Sequence, residues 1–539
     1  MKSLKPMKKL IEFVFIIVIP WIIILWIVFT YIRDTDRDYY SSKNIEIKHD
    51  SVPVDHSKFA DLQKTFTSGH EVTAACLNCH NGRGMEFMKT EHWQWKKIDS
   101  VPGRGNMDLG KINLLNNFCI GVNSNEKLCS LCHAGYGYGD KNFDFHNQNN
   151  IDCLICHDDT HKYKKSKPGK PNTGSGYPNP DVNLADVAQH IGLPQRNNCG
   201  SCHYTGGGGN NVKHGDLEKA LNNCTKDVDV HMATDGKNLL CTDCHKTHNH
   251  NISGQLYTVS SSNKNSFSCE ECHTNKPHVS KLLNEHNEMV ACQTCHIPTY
   301  AKVQPTKIYW DWSTAGKLKD GKPYTEWSED KLHEYDSKHG TAVFGKDLQP
   351  EYIWFNGTAD HFLITDKVED TTKPLVLNKL YGSYKDYINP ADSAHRSKIY
   401  PVKIMRGKQI YDPVNHTIIQ PKLVGPKGSG AFWADFDWNA SAKAGMDYLN
   451  LPYSGHYAFI NTESLWPLNH EVSKSDKTLK CVDCHKSDGG RLKNLTGFYL
   501  PGRDRNPFLD YFGVGFIILV LMGVSIHGTI RIISNKKSH

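Results

Sequence analysis

The chain has 539 residues, a net charge of only +6, 38% apolar residues and 18 cysteines. Much of the charge sits on terminal lysines, so nothing points to a nucleic-acid surface. That apolar share is low for so long a chain. The chain opens on an apolar run, Leu10 to Ile32, of about 23 residues, enough to span a bilayer. Lys2, Lys5, Lys8 and Lys9 precede it and no small-residue cleavage site follows. Residues 1–33 are therefore read as an uncleaved anchor with its N-terminus inside. A polar stalk follows, over 34–55.

The next region, 56–301, is dense in one motif. CxxCH occurs at Cys76, Cys79 and His80, at Cys129, Cys132 and His133, at Cys153, Cys156 and His157, and at Cys199, Cys202 and His203. It recurs at Cys241, Cys244 and His245, at Cys269, Cys272 and His273, and at Cys292, Cys295 and His296. An eighth copy, Cys481, Cys484 and His485, stands alone downstream. Two thiols spaced by two residues can add to the vinyl groups of a haem, and the adjacent histidine can bind its iron. One such motif also reads as a zinc knuckle or a redox dithiol. Eight with histidine at the same offset imply eight covalently bound haem c groups. The first seven motifs leave about 30 residues each, too few for separate apolar cores. The expected fold is mainly α with long irregular loops, a haem-filled core and two terminal transmembrane helices. The Lys, Pro and Gly-rich stretch 162–180 reads as a surface loop.

Residues 302–505 hold the eighth haem but no motif before Cys481, and read as loops with some strand and helix. A second apolar run, 506–533, ends on Arg531, Lys536 and Lys537. Its flank also orients inward. Both termini are then cytoplasmic, with a large domain on the periplasmic or extracytoplasmic side, where haem attachment occurs. His527 lies within this second span, and an intramembrane histidine is a functional candidate. The anchors suggest electrons from the quinol pool or a quinol-oxidising membrane partner.

Each iron needs a ligand on its far side, and most of the 30 histidines lie outside the motifs. His70, His286 and His470 stand shortly upstream of a motif, as such ligands do. The segments GGGGNNVKHGDLEKAL from Gly206, DVDVHM, CTDCHKTHNH, ACQTCHIPTYAKV, EHWQW, NNFC and WPLNH carry a sharper signal. Together they resemble the octahaem tetrathionate reductase family of multihaem c-type cytochromes. The resemblance runs from about His56 to Arg491 and implies reduction of a small-molecule oxidant, of the tetrathionate, nitrite or hydroxylamine class.

The resemblance also implies roles for single residues. Lys213 becomes the distal ligand of one haem, most naturally the second, which is then the reaction centre. A lysine must be neutral to bind iron, and deprotonation at pH 7 costs roughly 4.6 kcal/mol in water. Burial and iron binding offset that cost, leaving a displaceable ligand. Cys119 falls near that haem, where a thiolate can attack an S–S bond. The family has an aspartate where this chain has Asn210, which cannot shuttle a proton. His214 is the alternative proton source. Distal histidines are assigned as His56, His92, His231, His250, His278, His286 and His470, with His70 competing for His56 and with His146, His190 and His248 as rivals. Cys224 matches nothing in the family, and a Cys119–Cys224 disulfide is open. No motif reads CxxCK, which excludes the lysine-motif nitrite reductases. A pure electron-transfer relay to a partner protein is the alternative reading.

Overall fold

The computed structural model describes residues 18–19, 21–23, 25–26, 40–42, 54–118, 121–168, 175–254, 261–262, 264–391 and 396–534. The chain divides into two compact units. One comprises 1–44, 272–288 and 480–539, and the other 45–271 and 289–479.

In the larger unit, residues 54–254 follow the expectation of short helices and long connections. Gly69–Cys79 is capped by Ser68, whose hydroxyl accepts from Glu71 N, and carries the first motif's cysteines on its last turn. Arg196–His203 carries the fourth motif. Others are single turns: Leu154–His157, Cys241–Cys244 and Cys292–His296. One turn suffices, because residues three apart share a helix face and bring both thiols to one side.

Beyond residue 302 the expectation of a mainly α chain gives way to a nine-stranded sheet. Its strands are β1 (Thr306–Asp311), β2 (Thr325–Trp327), β3 (His333–Asp336), β4 (Gly340–Gly345), β5 (Glu351–Phe355), β6 (Leu375–Val376), β7 (Lys398–Asp412), β8 (Thr417–Ile418) and β9 (Ala458–Pro467). The order is β6-β9-β7-β1-β4-β3-β2, with β5 and β8 also paired to β7. β7 runs antiparallel to β9 from Val402↔Pro467 to Tyr411↔Ala458 and parallel to β1. The sequence of β7, KIYPVKIMRGKQIYD, buries Val402, Lys403, Met405, Gly407, Gln409 and Ile410. Its lysines and arginine hide the strand from a reading of hydropathy.

The main core lies against this sheet. Trp310, Trp312, Met405, Phe432, Trp438, Met446 and Trp466 pack there with Phe118 and Val212 from the haem-rich half. The haem-poor region thus supports the segments expected to form the reaction centre.

In the smaller unit, Tyr40–Ser42 pairs antiparallel with His273–His278. Lys281–His286 is a short helix capped by the Ser280 hydroxyl on Leu283 N. Arg503 donates to the carbonyls of Leu492 and Phe498, at 2.8 and 2.9 Å, and also to that of Leu495. It thereby fixes the segment before the C-terminal helix, Pro507–Ser534. Among the described residues this is the one helix long and apolar enough to cross a membrane, over Pro507–Arg531, with mean hydropathy 2.1. His527 lines a shallow groove on it with Gly523, Gly528 and Arg531. Of the expected first span, residues 18–19, 21–23 and 25–26 are described and the rest lies outside the described residues.

Candidate haem sites and the lysine loop

Metal–imidazole bonds of about 2 Å put two rings on opposite sides of one metal with centroids roughly 6 Å apart. Five motif histidines meet a second histidine at that separation. His80 faces His56 at 6.3 Å, His157 faces His250 at 6.5 Å, His203 faces His92 at 6.2 Å, and His245 faces His470 at 6.4 Å. In the smaller unit His485 faces His286 at 6.2 Å. The residues present therefore fit haem iron held between two imidazoles.

The second ring nitrogen supports the fit. Nδ1 of His157, His245 and His485 donates to the carbonyls of Gly192, Ser253 and Pro501 at 2.8–2.9 Å. His56 and His286 do the same to Val54 and Leu282, and His470 Nδ1 stands 3.3 Å from Asp216 Oδ2. A carbonyl or carboxylate on Nδ1 fixes the tautomer and leaves Nε2 for a metal. Burial pushes His203 down to about 3 and also lowers His92, His157 and His245. These imidazoles are neutral at pH 7, as metal binding requires.

His56 and His70 part company. The His70 ring lies against Tyr136 and Tyr177, 5.2 and 5.9 Å away. Among the rivals, His146 and His190 are exposed beside Asp144 and Asp186, and His248 is exposed. His231 sits in a turn whose backbone N–H groups bond Asp229. His278 ends the strand that begins at His273.

Cysteines of different motifs touch. The thiols of Cys76 and Cys153 hydrogen-bond, as do those of Cys132 and Cys202, Cys199 and Cys241, and Cys269 and Cys292. Each thiol becomes a thioether at a porphyrin edge. Among the described residues the contacts join the first motif to the third, the second to the fourth, the fourth to the fifth and the sixth to the seventh, and haems held there would meet at those edges.

The second motif is built differently. Its His133 is fully buried among Trp93, Trp95, Tyr138, Phe143 and Phe145. Here Nε2, not Nδ1, donates to a carbonyl at close range, that of Trp93 at 2.8 Å. Iron binding through Nε2 requires the ring to release Trp93. The segment itself is clamped by buried Lys165, whose Nζ donates to the carbonyls of His133 and Gly135 and pairs with Asp152 at 3.2 Å.

Lys213 emerges from the four-glycine loop. A Cβ on Gly206 would lie 3.4 Å from Lys213 Cδ, and one on Gly207 3.1 Å from the Phe118 ring. Gly207 and Gly208 take φ of +75° and +101°, which favour glycine. The Lys213 Nζ stands 4.9 Å over the Trp466 ring, and the His214 ring 5.1 Å from the same indole. The Cys132 thiol is lowered first by its bond with Cys202, and the charges of Lys111, Lys165 and Lys213 lower it further. Burial, reinforced by Lys213, pushes His214 well below its usual value. It is therefore neutral at pH 7 and offers a hydrogen bond rather than an imidazolium proton. The Asn210 side chain is engaged in closing the loop, its Oδ1 accepting from Lys219 N at 2.8 Å. An aspartate would close it equally well. Cys119 lies outside the described residues. Cys224 is a free thiol buried among Tyr204, Leu221, Met232 and Ala233.

Two partners of this loop carry no signal in the sequence. Trp466 closes over Lys213 from β9, and Lys403 reaches it from β7. The run WPLNH stands out in the sequence for His470, yet the tryptophan in it is what touches the loop.

Paired imidazoles, attachment turns and touching motif cysteines define a multihaem c-type cytochrome with covalently bound haem. The crystal structure of the octahaem cytochrome c from Shewanella oneidensis is 41% identical, covers 82% of this chain and 98% of its own, and superposes with a TM-score of 0.73. The chain belongs to the octahaem tetrathionate reductase family of multihaem c-type cytochromes. A family profile described as bacterial cytochrome c matches residues 307–488. An uncharacterized protein of Archaeoglobus fulgidus is 27% identical over 242 residues, 36% of this chain and 80% of that protein.

Proposed function

We propose that this protein is a membrane-anchored, extracytoplasmic oxidoreductase whose eight haems deliver electrons to a small sulfur or nitrogen compound at the haem bound by Lys213. The observation that carries this reading is the contrast between sites. Five motif histidines face a second histidine, whereas no second histidine faces His133 among the ring contacts of the described residues, and we assign Lys213 of the four-glycine loop to that position. Haem supplies the electrons and the metal position at which the oxidant is reduced. The chain supplies the rest. His56, His92, His250, His286 and His470, joined by His231 and His278, close the relay positions against exogenous ligands. Lys213 holds the reactive position with a ligand weak enough to yield. Trp466 and Phe118 exclude water around it, and His214 offers a neutral hydrogen bond. The C-terminal helix anchors the protein with Arg531 at its inner end, within reach of the quinol pool or a membrane partner that oxidises quinol.

The test is a dithionite-driven assay with tetrathionate, nitrite and hydroxylamine on wild type and Lys213→Ala. At least one oxidant should be turned over, and Lys213→Ala should change that turnover and the ligand-field spectrum of one haem while all haems stay attached. No turnover of any of the three leaves the relay to a partner protein as the function. An unchanged spectrum removes Lys213 from the iron.

A further inference from the structure

We propose that Lys403 is a positioning residue for the reaction centre, gripping the backbone that delivers Lys213; this rests on Lys213 being an axial ligand. Lys403 lies on β7 with none of its side chain exposed. Its Nζ donates to Val212 O at 3.0 Å, to Lys213 O at 2.9 Å and to Thr306 Oγ1 at 2.6 Å. The Thr306 hydroxyl in turn lies 2.5 Å from Asn211 O and 3.2 Å from Val212 O. Three successive carbonyls, of residues 211, 212 and 213, are thereby held from β1 and β7.

The same stretch is also tied by Asn211 N to Tyr204 O at 2.9 Å and by Asn211 Nδ2 to Gln304 O at 2.7 Å, but it is Lys403 and Thr306 that bond the Val212 and Lys213 carbonyls. Gly207, Gly208 and Asn211 have φ of +75°, +101° and +61°, so neither a helix nor a strand ladder runs through the loop. No carboxylate among the described residues forms an ion pair with Lys403. A buried amine satisfied only by neutral oxygens is costly compared with an apolar side chain of the same length. Methionine or leucine would fill the site between β7 and the loop, with Phe118 alongside. What they cannot do is fix the direction of the Val212 and Lys213 carbonyls, and with them the direction in which the Lys213 side chain leaves the backbone. A weak ligand tolerates little error in that direction. Outer partners that orient a ligand typically contribute 10–100-fold in metal affinity.

The experiment uses the full-length holoprotein and three kinds of measurement: haem content by pyridine haemochrome, the near-infrared and EPR signature of the lysine-bound haem, and cyanide binding to the ferric protein. Lys403→Met should retain its haem complement but lose much of the lysine signature, and cyanide should bind at least about tenfold faster. Thr306→Val should move both readouts the same way and less far. Thr306→Ser, which keeps the hydroxyl, should match wild type. Lys213→Ala decides the underlying reading separately. If it keeps the wild-type signature, Lys213 is not the ligand and the role of Lys403 falls with it. If Lys213→Ala loses the signature while Lys403→Met and Thr306→Val keep it with full haem content, Lys403 is structural and the positioning role is overturned. Should Lys403→Met fail to assemble, Thr306→Val against Thr306→Ser decides between the same two outcomes.

Discussion

At the scale of single residues, the histidine pairs convert a set of candidates into testable contacts. His56→Ala should open one axial position and add one high-spin haem to the ferric EPR spectrum, whereas His70→Ala, whose ring packs on Tyr136 and Tyr177, should leave that spectrum unchanged. A high-spin signal in His70→Ala but not in His56→Ala would reverse the pairing. Away from the haems, Asp336 is held well below the usual carboxylate range despite its burial, by the His339 ring at 2.7 Å, the Thr325 hydroxyl and the Lys338 N–H. A carboxyl whose folded value is depressed stabilises the fold above its unfolded pKa of about 3.9, and that stabilisation is lost as pH falls toward the folded value. Asp336→Asn should therefore lower Tm at pH 7 and make Tm less dependent on pH below about 4. Parallel acid limbs in variant and wild type would show that the carboxylate carries no such role.

At the scale of elements, covalent chemistry was legible and tertiary support was not. CxxCH must keep its spacing because both thiols reach one porphyrin edge, so the attachment sites are plain in the sequence. His92 and His203, or His245 and His470, lie far apart along the chain, and no local pattern pairs them. The sheet was obscured for a different reason. β7 buries Lys403 and Gln409 on positions where a strand reading expects apolar residues, because both side chains bond loop backbone: Lys403 to Val212 and Lys213, Gln409 to Asn116. Asn117 adds a bond to Met405 O at 2.6 Å. The sheet is thus a support for the NNF and lysine-loop segments. Met405 is fully buried in the shared core, and Met405→Ala should cost about 2–5 kcal/mol. Chemical denaturation should show that loss in the larger unit, with haem content intact.

At the scale of the whole molecule, the haem-motif region and the apolar C-terminal helix are separable in chemistry. The Arg503 clamp lies ahead of Pro507, so a chain of residues 34–506, exported behind a cleavable leader, keeps every attachment motif and lacks both expected spans. This truncated form should be released from membranes and retain dithionite-driven turnover at the wild-type rate, but lose turnover driven by a quinol in vesicles. Equal quinol-driven rates with and without the spans would place electron entry elsewhere.

The touching thiols also bear on how the protein is made. Before haem is attached, Cys76 and Cys153, Cys132 and Cys202, Cys199 and Cys241, and Cys269 and Cys292 are pairs of free thiols already in contact in the finished fold. In an oxidising compartment a chain that folded first would cross-link between motifs and bar its own haems. Haem attachment to an unfolded, reduced chain, with collapse afterwards, would avoid these cross-links, and thiol supplementation during expression should then raise the yield of fully haem-loaded protein.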